Sequence, residues 1–241
     1  MSATHEARRI AIEGGLVRLE KTVIERQVKA EDFLAEVARM QPVETGLLPE
    51  GCVLLTRSLE AEKRTQTVYV MERPPGLQNV RYNVEREDQE IQDLILSWPR
   101  TLWFCRTSQP PAIAHATIVD LWGAVTRAAV HVEDLGTAIY CLPMPNLYDS
   151  GNGAVCMGNL SVEAYEKPLA VRIPELIRQV LESAWNADLM PKFDGLGVGG
   201  LEDWARASAA DPEFHAKIRF KAHTHATVRG MLKHLDECPH Q

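Results

Sequence analysis

The sequence predicts an α+β fold, an antiparallel β-meander flanked by helices. Short runs rich in β-branched and aromatic residues are grouped between 52 and 142. Helical periodicities follow from Pro174 onwards, and strands and helices do not alternate in the manner of βαβ units. Residues 16–28 fit either strand or helix, whereas 29–40 place Phe33, Val37 and Met40 on one helical face. The turn-rich stretch 41–49 then separates an N-terminal extension, residues 1–45, from a core spanning 46–241.

Within the core, residues 52–57, 67–72 and 78–84 read as three consecutive strands of a meander. Ile91, Leu94, Ile95 and Trp98 recur at helical spacing, which predicts a helix ending at Pro99. Residues 102–106, 126–132 and 137–142 read as further strands. Pro174 suits the first position of a helix whose stripe is Leu176, Ile177, Val180, Leu181 and Ala184. Leu201, Trp204, Ala205 and Ser208 mark another helix, and Asp211 with Pro212 caps a third carrying Phe214 and Ile218.

Composition narrows the function. In 241 residues, 45% are hydrophobic and 24% charged, and no apolar run approaches the roughly 18 residues of a membrane span. Lys plus Arg is 26 against 33 for Asp plus Glu, a net charge of -7 that disfavours a nucleic-acid partner. The charged opening MSATHEARRIAIEGG has no apolar core of a secretory signal, so a cytoplasmic location is expected. Five cysteines form no CxxC pair, which argues against a disulfide framework or a zinc ribbon and for reduced thiols.

One thiol stands apart. Asn146, Asp149, Ser150, Gly151, Asn152 and Gly153 make the approach to Cys156 a loop, so this thiol is reachable by a large partner. Asn146 lies upstream with a side-chain amide. Thiolate attack on a carbonyl builds negative charge on oxygen, and an amide N–H can stabilise it.

The same residues carry a resemblance. Met144, Pro145 and Asn146 follow a strand, then come Tyr148, Asp149, Gly153 and Cys156. This order resembles the His-Pro-Asn motif, glycine-bearing loop and catalytic cysteine of ubiquitin-conjugating (E2) enzymes. The stretches LLPEGCVLL, VYVMERPPG, LPMPN and GAVCMGN are similar to the prokaryotic E2 family D, found in plasmid-borne cassettes with ThiF-like and ParB-like proteins. The similarity spans residues 45–193. It implies an E2/UBC-like core in which Cys156 is a thioester-forming nucleophile, Asn146 an oxyanion or loop-ordering donor, and Pro145 and Gly153 loop-shaping residues. It further implies a ThiF-like (E1-like) activating enzyme and a ubiquitin-like protein as partners, with no cofactor at this step. Met144 stands where the family has histidine, and Asp188 and Asp194 both lie where the family's acidic gate residue falls. The helix ending at Trp98, with Glu87, Asp88, Glu90, Gln92 and Asp93 opposite its apolar stripe, is the surface that the family presents to the activating enzyme.

Two other constellations compete. His223 and His225, with His215, His234, Cys238 and His240 nearby, offer zinc-ligating atoms, but positions two apart in a helix point to different faces, so no metal site is expected. GLGVGG at 195–200 lacks a βαβ context and a Walker lysine and reads as a flexible loop or lid. A Cys156–histidine dyad stays open, because spatial adjacency is invisible in sequence. An E2-like scaffold without chemistry is the alternative function, favoured by Met144 and opposed by Cys156.

Overall fold

The computed structural model describes residues 8–13, 16–21, 24–29, 48–59, 65–83, 91–110, 116–131, 133–147, 153–157, 167–185 and 193–237. The expected helix over 29–40 with Phe33, Val37 and Met40 lies outside these residues. So do Glu87, Asp88, Glu90, Tyr148, Asp149, Ser150, Gly151, Asn152, Asp188, Cys238 and His240.

The chain is a mixed α+β structure built on a curled antiparallel sheet, with three α-helices among the described residues. Among the described residues there are twelve strands: β1 (Arg8–Glu13), β2 (Leu16–Lys21), β3 (Ile24–Lys29), β4 (Cys52–Leu59), β5 (Thr65–Arg73), β6 (Gly76–Asn83), β7 (Ile91–Trp98), β8 (Thr101–Gln109), β9 (Thr117–Thr126), β10 (Ala138–Cys141), β11 (Ala184–Trp185) and β12 (Ala222–Thr227). The helices are α1 (Leu169–Glu182), α2 (Leu201–Ala210) and α3 (Val228–Glu237). The main sheet has nine strands in the order β12-β10-β9-β8-β5-β4-β1-β2-β3, and a smaller one has the order β11-β6-β7. No helix among the described residues is long and apolar enough to cross a membrane.

Strand β8 is buried along nearly its whole length because both faces of the sheet are covered. Leu102 and Phe104 point into one core, where α3 contributes Val228, Met231, Leu232 and Leu235. Trp103 and Cys105 point into the other, with Ile173, Leu176, Ile177, Val180 and Leu181 of α1. Alternation between two apolar layers explains why TLWFC carries no polar/apolar alternation. Arg106 on this strand is nevertheless buried, because Asp120 on β9 accepts hydrogen bonds from its Nε at 3.0 and 3.1 Å and its guanidinium lies 5.2 Å from the Trp122 ring centroid.

Four expectations are corrected. First, residues 91–98 form strand β7 and not a helix, paired with β6 from Asn83↔Ile91 to Gly76↔Trp98. The apparent helical stripe is split between two faces: Leu94 and Trp98 pack inward, while Ile91 and Ile95 are 41% and 57% exposed. Backbone pairing satisfies the segment as a strand, so the i, i+3, i+4, i+7 coincidence has no helical core to serve. The acidic helix face proposed for an activating enzyme therefore does not exist at Gln92 and Asp93.

Second, the meander is interrupted: β4 pairs with β5, but β5 pairs next with β8, and the β6–β7 hairpin leaves to form the second sheet. Third, residues 127–131 are not a strand. β9 precedes them and ends at Thr126, whose Oγ1 donates to the Ala128 carbonyl at 2.9 Å, and the Val130 N–H donates to Glu72 Oε2 at 2.8 Å. Fourth, α1 begins at Leu169, so Pro174 sits inside it, and Ala184 belongs to β11. Pro168 opens the helix, and Leu176, Ile177, Val180 and Leu181 bury the stripe whose packing offsets the hydrogen bond Pro174 cannot make. The helix at 201–210 is as expected, whereas Asp211 and Pro212 lead into a 3₁₀ turn, Phe214–Lys217, with Ile218 just past its end.

Three tryptophans lock the hairpin to the helices. Trp98 stacks on Trp204 of α2 with centroids 5.7 Å apart and planes within 3°, and meets Trp185 at 5.8 Å. Trp204 Nε1 donates to the Ser97 carbonyl at 3.2 Å, and the Ser97 N–H donates to Ser208 Oγ at 2.7 Å. Trp204→Ala removes a fully buried indole and its hydrogen bond together. A loss of about 3–5 kcal/mol in unfolding free energy is expected in urea titrations.

Candidate functional site

Strand β10 leaves the sheet at Cys141, and its continuation turns along the core. Leu142, Met144 and Leu147 are buried there, with Met144 wholly inaccessible, so the residue replacing the family histidine serves as apolar filling. Pro145 is buried in the turn that follows, and Asn146 adopts φ 66°, a left-handed conformation that asparagine tolerates better than most residues.

The segment that re-enters at Gly153 is zipped onto β9. The Gly123 N–H donates to the Gly153 carbonyl at 2.9 Å, and the Val155 N–H donates to the Leu121 carbonyl at 2.9 Å. Ala154 lies opposite Trp122, and Val155 lies opposite Leu147 on the other side. The Cys156 N–H then donates to the Asn146 carbonyl at 2.7 Å. Gly153 has φ 70°, and a Cβ there would stand 2.2 Å from the Gly123 carbonyl oxygen, so glycine alone permits this approach.

The fold thus brings Asn146, Pro145, Gly153 and Cys156 into one cluster. The Asn146–Cys156 tie runs through the asparagine's main-chain carbonyl, and its side-chain amide bonds no described residue. Asp194 is exposed and lines a different feature, an open cleft of about 970 Å³ that also includes Phe193, Val198, Asp203, Arg206 and Arg219 but not Cys156 or Asn146. The glycine-rich stretch 195–200 forms one rim of that cleft.

The thiols differ in chemistry. Burial pushes the Cys52 thiol up to about 12 despite backbone hydrogen bonds, and it pushes fully buried Cys105 up as well. Cys141 Sγ donates to the Ala222 carbonyl at 3.4 Å. Cys156 is half-buried at the end of its loop. Brief iodoacetamide treatment of the native protein is expected to label Cys156 and to spare Cys52 and Cys105, as peptide mass mapping would read. Labelling of Cys52 ahead of Cys156 would contradict this ordering.

His223 and His225 lie on β12, a strand and not a helix, so the two rings share a side, with centroids 5.5 Å apart. His225 also stacks on His234 of α3 at 4.0 Å. Among the described residues, no three His, Cys, Asp or Glu side chains are grouped to hold a metal ion. His215 stands apart, with its Nδ1 2.8 Å from Ser97 Oγ. What the sequence left unseen is that His223 lies beside Gly153. Its Nε2 would be 3.4 Å from a Cβ on that glycine. Period-two spacing in HTH was the available signal, once the segment is taken as a strand.

No protein-family model, curated protein or solved structure matches this chain.

Burial lowers the pKa of His225, with nearby His234 adding to the effect, and burial lowers that of His215. Each ring is harder to protonate folded than unfolded, so the unfolded chain takes up more protons below the ordinary value of 6.5. Stability from these groups is intact above that pH and falls as pH drops through the window below it. The thermal midpoint is expected to be flat from about pH 8 to 7 and to decline towards pH 5. His225→Gln should flatten the decline.

Proposed function

We propose that this chain is an E2-like carrier that accepts a ubiquitin-like protein as a thioester on Cys156 and passes it to an acceptor. The observation that carries this reading is the Cys156–Asn146 junction. A half-buried thiol at the end of a glycine-anchored loop is tied to the residue that the E2 resemblance assigns as donor. A ThiF-like activating enzyme would consume ATP and present the modifier's C-terminus as an activated acyl group. The Cys156 thiolate attacks that carbonyl, the activating enzyme's thiol leaves, and a thioester forms on Cys156. The Asn146 amide, with no described partner, is available to the oxyanion. An amine, hydroxyl or thiol of the acceptor then displaces Cys156 and regenerates the thiolate. No cofactor, nucleic acid or membrane enters this scheme, and the setting is cytoplasmic. Asp194 borders the neighbouring cleft, whose lining includes neither Cys156 nor Asn146.

A specific observation favours the second reading, an E2-like scaffold without chemistry acting in a plasmid or defence assembly. Met144 is sealed in the core, so no imidazole stands at the family's position.

Mixing the chain with the activating enzyme, modifier and ATP should give a thiol-labile adduct on non-reducing gels. Cys156→Ser should abolish that band or convert it to a thiol-resistant ester. Asn146→Ala should slow charging on the order of a hundredfold while the fold is kept. A thiol-labile band that survives in Cys156→Ser would overturn the carrier reading, and no adduct on the wild-type protein would favour the scaffold.

A further inference from the structure

We infer that the free edge of β7 is a docking site for an extended strand of a partner protein, one that alternates apolar residues about a central Lys or Arg. The inference does not depend on the chemistry of Cys156. β7 ends the small sheet, with β6 on one side and, among the described residues, no strand on the other. The direction of its hydrogen bonding is fixed at Ser97, whose N–H donates to Ser208 Oγ at 2.7 Å and whose carbonyl accepts from Trp204 Nε1 at 3.2 Å. Both main-chain groups of Ser97 therefore turn away from β6. In an antiparallel ladder every second residue does the same, so Ile95, Asp93 and Ile91 also direct N–H and C=O outward, while Leu96, Leu94 and Gln92 bond to β6. α2 takes up the outward groups at Ser97 and stops there. Among the described residues, nothing bonds the outward groups of Ile91, Asp93 and Ile95. Such an open row is a template for one more strand.

Side chains along the edge select the occupant. Ile91, Asp93 and Ile95 share the outer face of β7, and all three are exposed. Asp93 lies opposite Arg81, yet among the described residues it has no ion pair. An added strand therefore gains most from apolar residues beside the two isoleucines and a basic residue beside Asp93, because opposite charges across a ladder attract and like charges repel. A second copy of β7 fits this edge poorly. In the antiparallel register that uses the whole open edge, Ile91 of each copy meets Ile95 of the other, and the two Asp93 carboxylates stand face to face. Sliding the copy towards the end of β7 brings it against α2 at Ser97, and sliding it the other way leaves Ile95 uncovered. The net charge of -7 adds repulsion between copies and favours a partner with basic side chains.

Two measurements test the inference. Amide hydrogen exchange of the wild-type protein should be fast at Ile91, Asp93 and Ile95 and slow at Gln92, Leu94 and Leu96. Slow exchange at both Asp93 and Ile95 would mean that the edge is already covered and would overturn it. In the second measurement the probe is a short peptide alternating Val and Thr, with Lys replacing the central residue of the Val face. Titrated into ¹⁵N-labelled protein, it should shift the amide resonances of Asp93 and Ile95 saturably. It should bind about fivefold more tightly than the same peptide with Glu in place of Lys, and Asp93→Lys should reverse that order. Ile95→Pro deletes an outward N–H but no bond to β6, so it should abolish binding while the urea midpoint stays near that of the wild type. Should Ile95→Pro unfold, the reversal in Asp93→Lys decides by itself. The absence of a saturable shift, equal affinity for the two peptides, or an unchanged order in Asp93→Lys overturns the inference. A dimer in sedimentation that Ile95→Pro disperses would give the edge to a second copy and overturn the partner assignment.

Discussion

The rest of the structure depends on β8 having no solvent face. Its residues 101–108 are all buried, and successive side chains enter two different cores. A strand in that situation must be covered on both sides and paired along both edges, because neither apolar face nor any backbone group can be left to water. That requirement recruits α3 to one face and α1 to the other, and it places β5 and β9 at the two edges. β9 then has one edge committed to β8 and the other open beyond Thr126↔Ile139, Val125↔Tyr140 and Ala124↔Cys141, where β10 ends. The Gly153–Val155 segment occupies that remaining edge. The thiol is where it is because a sheet edge needed partners.

Much of this was legible in the sequence, and what was not has a physical cause. The α+β class, strands β4, β5, β6, β8 and β10, and helix 201–210 follow from periodicity and turn chemistry that tertiary context did not contradict. Residues 91–98 misled because Ile91 and Ile95 are apolar yet exposed, so a strand with both faces partly apolar imitated a helical stripe. β9 was missed because ATIVDLWGAV, residues 116–125, runs from mixed to continuously apolar as the strand passes from the sheet's rim to its centre. The interruption of the meander could not be read at all. Whether β5 pairs with β6 or with β8 is decided by which arrangement buries Trp98 against Trp185 and Trp204, and those residues are far apart in the chain.

The candidate site shows the same division. Loop character at 146–153 was visible from composition, and two backbone angles justify it, φ 66° at Asn146 and φ 70° at Gly153. Each angle disfavours most side chains, and both are paid for by main-chain hydrogen bonds to β9 and to Cys156. Spacing therefore identified the cysteine but not the tie, which uses a carbonyl that every residue possesses. The exclusion of Cys52 and Cys105 as nucleophiles likewise needed burial, since nothing in their local sequence announces a raised pKa.

Met144 and His223 are best considered together. Burying a histidine requires partners for two ring nitrogens, and position 144, with apolar neighbours such as Leu142 and Leu147 in the same core, favours a thioether instead. On β12 one ring nitrogen is met by the strand backbone: the His225 N–H two residues on donates to His223 Nδ1. An imidazole at 223 can thus be buried beside the loop at Gly153, whereas one at 144 would have to satisfy both nitrogens inside the main core. The pairing of β10 with β12 is what makes this exchange possible, since it carries a residue from the C-terminal region to the end of the strand from which the loop departs. Reactive geometry here is a property of the sheet edge and its neighbours, shared between segments that are distant in sequence, and not of the short motif that first drew attention to the thiol.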